Sequence, residues 1–231
     1  MNPSFLLFVA PALILMVWAQ SRVHSAFARG SRIPAPLSGA QAARLLLDRS
    51  GCPHVEIEMT HGHLTDHYDP RAKVLRLSEQ VYHESSLSAV GIAAHEAGHA
   101  IQDAQRYAPL AIRNGAVPAA QYGPMVAMVL FLMGAIFAQT GPFGIMLLIA
   151  GLVCFSGVVV FQLINLPVEF DASARAKQLL SVHGIVDERG AAVVRDVLNA
   201  AAWTYVAATL QSILQMAYFA FQIFGRGSGN R

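Results

Sequence analysis

The sequence predicts a mainly α integral membrane protein, with three to four transmembrane helices and a small α+β polar part. Three observations predict it. Hydrophobic residues make up 55% of the 231 positions and charged ones 13%, and the mean hydropathy of +0.45 is too high for an ordinary soluble domain of this length. Charge-free runs of nearly spanning length recur along the chain. Every Lys and Arg except Arg226 and Arg231 falls in the two polar segments, 21–116 and 165–197.

The first run, 3–20 (PSFLLFVAPALILMVWAQ), carries no charge and is nearly long enough to cross a hydrocarbon core of about 30 Å. A secretory signal is its alternative, because Val17-Trp18-Ala19 has the small-x-small form of a cleavage site, but no Lys or Arg precedes the run. Two more spans follow at 117–138 and 143–165, separated by a Gln139-Thr140-Gly141-Pro142 tip, so they form a hairpin that enters and leaves on one side. A fourth run, 198–224, contains Gln211, Gln215 and Gln222, and it either spans or lies in the interface. Lys and Arg distribution puts the polar segments in the cytoplasm and the N-terminus outside.

In the polar part, Ser38 and Gln41 make a capping box ahead of a short amphipathic helix that Gly51 stops. Val55–Met59, Leu64–Tyr68 and Val74–Leu77 read as three strands of a small antiparallel sheet. A helix capped by Ser85 or Ser86 then runs to about Gln105.

That last helix contains His95-Glu96-Ala97-Gly98-His99. Residues four apart share a helix face, so both imidazoles can reach one Zn²⁺, while Glu96 lies about 100° round and can act as general base on a water. Histidine offers neutral nitrogen ligands, and zinc brings the pKa of a water to about 7. Small neighbours Ala94, Ala97, Gly98 and Ala100 let another backbone approach.

A catalytic zinc takes three protein ligands, and Glu169 is the candidate for the third. It follows the third span, and the hairpin returns it to the side where His95 lies; Asp171 is the rival. A helix starting near Asn165, with Pro167 in its first turn, would line up Glu169, Ala172, Ser173 and Ala176, setting Ala172 and Ala176 against Ala97 and Gly98. Arg175 and Tyr82 are candidate oxyanion donors. His61, His63 and His67 have a spacing that a second metal could use, but on strands and turns they read better as solvated or hydrogen-bonded side chains; His67 is the one to follow.

The strings His63-Leu64-Thr65-Asp66-His67-Tyr68-Asp69-Pro70, Leu75-Arg76-Leu77-Ser78, Ala93 to Gln102 and Asn165-Leu166-Pro167-Val168-Glu169-Phe170-Asp171-Ala172-Ser173 carry a resemblance to a known family. Over nearly the whole chain they resemble the bacterial neutral zinc metallopeptidases of the YugP type. The resemblance implies an integral membrane zinc hydrolase with a zincin-like, gluzincin-like catalytic part, acting on peptide or protein substrates. It also implies that the two histidines and a later glutamate are the ligands. The order of parts is similar to that of HtpX-type membrane proteases, where a hairpin separates the histidine motif from an E-x-x-x-D helix. Here Ser173 stands where that pattern has Asp, so the carboxylate partner of a ligand histidine is either missing or supplied by Asp171. By the same analogy, a strand between His67 and Leu77 is the edge on which an extended peptide pairs. A zinc-holding scaffold without proteolysis and a membrane amide hydrolase are the competing functions. Net charge of +2 without a long basic run gives nucleic acid no footprint. Cys52 and Cys154 supply no disulfide framework.

Overall fold

The computed structural model describes residues 3–138 and 141–225. Gln139 and Thr140 of the hairpin tip, and Arg226 and Arg231, lie outside the described residues. The chain is mostly helical, with one small sheet. Four helices are long and apolar enough to cross a membrane: α1 (Pro3–Gly30), α5 (Ala108–Phe137), α6 (Pro142–Val182) and α7 (Glu188–Phe224). Each extends beyond the apolar run that announced it. Helix α1 runs without a break through Val17-Trp18-Ala19 and on past Gln20, α5 passes through Pro118 and Pro124, and α7 starts at Glu188.

Two compact units make up the chain. One is drawn from Met1–Val17, Ile112–Leu166 and Tyr205–Arg231. Glycines bring its helices close: a Cβ on Gly134 would meet Leu148 at 2.7 Å, and one on Gly151 would meet the Phe131 ring at 2.9 Å. Small residues make such approaches possible where lipid provides no hydrophobic drive between helices. An aromatic cluster fills the rest, with Phe131 and Phe219 ring centres 4.4 Å apart and Phe5 edge-on to Tyr218 at 5.0 Å.

The second unit is Trp18–Ala111 with Pro167–Thr204. It contains α2 (Gly39–Arg49), β1 (Glu56–Thr60), β2 (His67–Asp69), β3 (Val74–Ser78), α3 (Glu79–His83) and α4 (Leu87–Ala104). The Ser38–Gln41 capping box forms as expected. Helix α2 ends in a Schellman turn, with Gly51 at φ +78° and Cys52 N donating to Leu47 O at 2.8 Å. Gly184, at φ +64°, closes α6 in the same way, and Asp187 then caps α7 by accepting from Gly190 N at 2.7 Å. One apolar cluster joins Leu46 and Leu47, Leu75 and Leu77, Val90, Leu180 and Leu198. The polar end of α1 is tied to α7 through Asp196, which accepts from Arg22 at 3.0 Å and from Arg29 at 2.5 Å.

The sheet corrects the expectation of three antiparallel strands. Its order is β1-β3-β2, with β1 parallel to β3 and only β2 antiparallel to it. Burial explains the order. Val74, Leu75, Leu77 and Ser78 of β3 are buried whereas β1 is largely exposed, so the apolar strand takes the centre. The second strand begins at His67 because Leu64 sits at φ +55°, outside the strand region. No new helix starts near Asn165; α6 continues through Pro167. Pro167 lies on an exposed face.

Candidate metal centre

Helix α4 is started by Ser86, whose hydroxyl accepts from Ala89 N at 3.2 Å. From there His95, His99 and Gln102 fall at i, i+4 and i+7, on one face. Gly98 lies between the histidines and packs on α6: a Cβ there would come 2.8 Å from Ala172 O and 3.3 Å from its Cα. Helix α6 answers with a buried stripe of Val168, Glu169, Ala172, Ser173, Ala176 and Leu180. The expected small-residue contact is therefore made between Gly98 and Ala172, and it sets Glu169 against the two imidazoles.

Glu169 Oε2 lies 3.2 Å from His95 Nε2 and 3.5 Å from His99 Nε2. The three residues offer one donor atom each, all within 4.8 Å of one another, and are the one such group of three or more found among the described residues. With metal–ligand distances of about 2.0–2.1 Å, a tetrahedral ion spaces its donors about 3.3–3.4 Å apart, so both carboxylate–imidazole separations match an edge of that tetrahedron. The donor set, two imidazoles and one carboxylate, also suits zinc.

Both ligand-candidate histidines have a partner on the other ring nitrogen. Ser173 Oγ lies 3.1 Å from His95 Nδ1, so the serine that replaces the HtpX-type aspartate occupies the partner position itself. Asp171 does not touch either histidine. It reaches His99 through Gln102, whose Oε1 is 3.0 Å from His99 Nδ1 and whose Nε2 donates to Asp171 Oδ2 and to Val168 O, each at 2.8 Å. Arg175 grips Asp171 at 2.5 Å and Gln105 Oε1 at 2.5 Å, and its guanidinium carbon is 5.8 Å from the Tyr107 ring centre. Those contacts direct Arg175 toward Asp171 and the end of α4. Sequence reasoning missed Gln102, although its i+7 spacing from His95 was a readable signal.

Glu96 is partly exposed, and among the described residues its carboxylate makes no hydrogen bond. Burial raises its carboxyl above the ordinary value; the His95 and His99 rings pull it down, and Glu169 and Asp66 add to the rise. Burial acts to lower His99, but the hydrogen bond and charge of Glu169, with help from Glu96 and Gln102, outweigh it and raise the ring. Asp66 is fixed by Ser78, whose N–H donates at 2.7 Å and whose hydroxyl donates at 3.0 Å.

His67 and Tyr82 are placed elsewhere. His67 is exposed on β2, its Nδ1 2.8 Å from Thr65 O. Tyr82 lies edge-on to His83 and lines a 910 Å³ depression with Leu37, Arg44 and Ile57, to which none of His95, His99 and Glu169 contributes. His63 packs on the Phe27 ring at 5.8 Å.

Residues 5–224 match the family described as "Putative neutral zinc metallopeptidase". The chain belongs to that family. Membership in this zinc metallopeptidase family implies Zn²⁺ as cofactor, which the His95–His99–Glu169 cluster fits by donor type and spacing. The chain is also 42% identical over 217 residues to a Bacillus subtilis (strain 168) protein named "Putative membrane protease YugP", covering 93% of this chain and 94% of that one. No solved structure matches it significantly.

Proposed function

We propose that this member of the zinc metallopeptidase family is an integral membrane enzyme that hydrolyses peptide bonds. Glu169 Oε2, at tetrahedral-edge spacing from both His95 Nε2 and His99 Nε2 in a cluster whose donor atoms lie within 4.8 Å of one another, carries this reading. In it these three residues would hold the zinc. The bound ion supplies Lewis acidity, polarising a carbonyl oxygen and bringing the pKa of a water near 7. Glu96 would take a proton from a water as the water oxygen bonds to the scissile carbonyl carbon, and would hand that proton to the amine nitrogen as the C–N bond breaks. Its carboxylate is free of other hydrogen bonds and raised by burial, which moves it toward the working range of a general base.

The α+β unit acts as a zincin-like catalytic part. With β3 in the middle of the sheet, the outer edge of β2 is the part of the His67–Leu77 region left for an extended peptide to pair with. We place this unit on the cytoplasmic side of the inner membrane, because the polar segments hold every Lys and Arg but Arg226 and Arg231.

Metal analysis and peptide-library digestion of the purified wild type and Glu96→Gln, run together, test the function. Stoichiometric zinc is expected in both, with cleavage by the wild type alone, abolished by chelator and restored by zinc. Full proteolysis by Glu96→Gln refutes the assigned base. Zinc without cleavage of any peptide makes the chain a scaffold, and cleavage confined to non-peptide amides makes it an amide hydrolase. A reporter fused after Arg22 that signals from outside overturns the topology.

A further inference from the structure

Gln102 is fully buried on α4, and its own contacts fix which way its amide points. Nε2 is 2.8 Å from Val168 O and 2.8 Å from Asp171 Oδ2. A peptide carbonyl and an ionised carboxylate accept and never donate, so the atom facing them has to be the NH₂ group. The atom 3.0 Å from His99 Nδ1 is then Oε1. An amide oxygen also only accepts, so the hydrogen of that contact belongs to His99 Nδ1. In the neutral ring the bare lone pair is left on Nε2, which is the atom turned toward Glu169 at 3.5 Å.

His95 is under no such constraint. Its Nδ1 faces the Ser173 hydroxyl at 3.1 Å, and a hydroxyl donates or accepts as required. One imidazole is thus locked and the other adjustable. The lock is anchored on α6 in two places, a main-chain carbonyl and a carboxylate that Arg175 holds.

We propose that Gln102 is the positioning residue of the metal centre, selecting the His99 tautomer whose Nε2 is bare and fixing the plane of that ring from α6. The inference rests on the zinc reading above and deepens it. Partners of this kind typically contribute roughly 10–100-fold in metal affinity or activity. An apolar side chain of similar length at this position removes the acceptor, and the metal-free His99 is then free to carry its hydrogen on Nε2 and donate to Glu169, a form that has to be undone before Nε2 can bind a cation.

The test uses the full-length protein in detergent, with two readouts. Long-range ¹⁵N–¹H spectra of the metal-free protein report which His99 nitrogen bears hydrogen, and competition with a chromophoric chelator reports zinc affinity. At a pH high enough that the ring is neutral, the wild type is expected to show hydrogen on Nδ1 alone. Gln102→Leu is expected to shift the hydrogen toward Nε2 and to weaken zinc binding by roughly 10–100-fold. Gln102→Met, close in length and volume but without the amide oxygen, is expected to do the same. An unchanged tautomer or unchanged affinity in Gln102→Leu overturns the proposal. If Gln102→Leu fails to fold, Gln102→Met decides alone: an unchanged tautomer or unchanged affinity there overturns the proposal, and a shifted tautomer with weaker zinc binding supports it. A wild type that holds zinc through this tautomer yet cleaves no peptide sinks the peptidase reading and leaves Gln102 in its role.

Discussion

Glu169 Oε2 stands 3.2 Å from His95 Nε2, although 74 residues separate them in the chain. Neither helix alone positions that pair; the contact of Gly98 with Ala172 does. Replacing Glu169 by Ala removes one of the three donors while leaving a small residue on a stripe already made of small residues. Apparent zinc binding free energies of about 10–16 kcal/mol, shared over four ligands, make one donor worth roughly 3 kcal/mol, or about a hundredfold in affinity. Glu169→Ala is expected to lose zinc on dialysis against a buffered chelator that the wild type survives. Retention of stoichiometric zinc by the variant would remove Glu169 from the ligand set.

The Gly98–Ala172 approach has its own signature. Alanine is ordinarily the better helix former by about 1 kcal/mol, so a Gly→Ala change at an open helical position stabilises. At Gly98 the added Cβ would sit 2.8 Å from a main-chain oxygen, which cannot swing away as a side chain would. Gly98→Ala is therefore expected to lose roughly 1–3 kcal/mol through overpacking and to weaken zinc binding as α6 is pushed from α4. Gly115→Ala on α5, with nothing within 4 Å, is the control expected to keep or raise the thermal midpoint. Equal effects of the two substitutions would show that helix contact at Gly98 is not what matters.

Much of this site was legible because its rules are local. The spacing of His95 and His99 fixes one helix face, and the hairpin of apolar runs tells where Glu169 returns. Ser38 with Gln41, and Ser86, announced their helices by side-chain chemistry alone. What stayed hidden depends on contacts between distant segments. The parallel pairing of Glu56–Thr60 with Val74–Ser78 follows from which strand the core covers, and strand alternation does not encode that. Pro167 read as a helix start because its ring forbids one main-chain bond, yet α6 runs through it. The spacing of Gln102 places it on the His95 face, but what its amide holds there shows only once Val168 and Asp171 come opposite it.

Asp69 predicts a pH effect away from the metal. Its carboxylate accepts from Ala72 N at 3.1 Å, Arg76 Nη1 at 2.9 Å and Arg71 N at 2.9 Å in the turn between β2 and β3. These contacts, the Ala72 N–H first, lower its pKa from 3.8 to about 2. A carboxyl depressed in the folded chain contributes stability that is complete above the unfolded pKa of about 3.9 and is lost as pH falls through the folded value. Asp69→Asn never has that contribution. The gap in thermal midpoint between wild type and variant should be full at pH 6 and should narrow steadily as pH falls below about 4. A gap that stays constant down to acid would mean the turn does not favour the ionised form.

The end of α4 sets a last expectation. Arg106 sits at φ +55° in the position where α2 and α6 each use glycine, and Tyr107 N donates to Gln102 O at 2.9 Å to close the turn. A side chain in this left-handed conformation costs roughly 1–2 kcal/mol, whereas glycine loses about 0.5–1 kcal/mol more backbone entropy on folding. The Arg106 side chain makes no hydrogen bond or ion pair among the described residues, so nothing offsets the strain. Arg106→Gly should raise the thermal midpoint by the equivalent of somewhat under about 1 kcal/mol, with zinc affinity unchanged, because the neighbouring Gln105 and Tyr107 keep their grip on Arg175. A lower midpoint in differential scanning fluorimetry would show that Arg106 supports this turn through its side chain and that the backbone is not strained there.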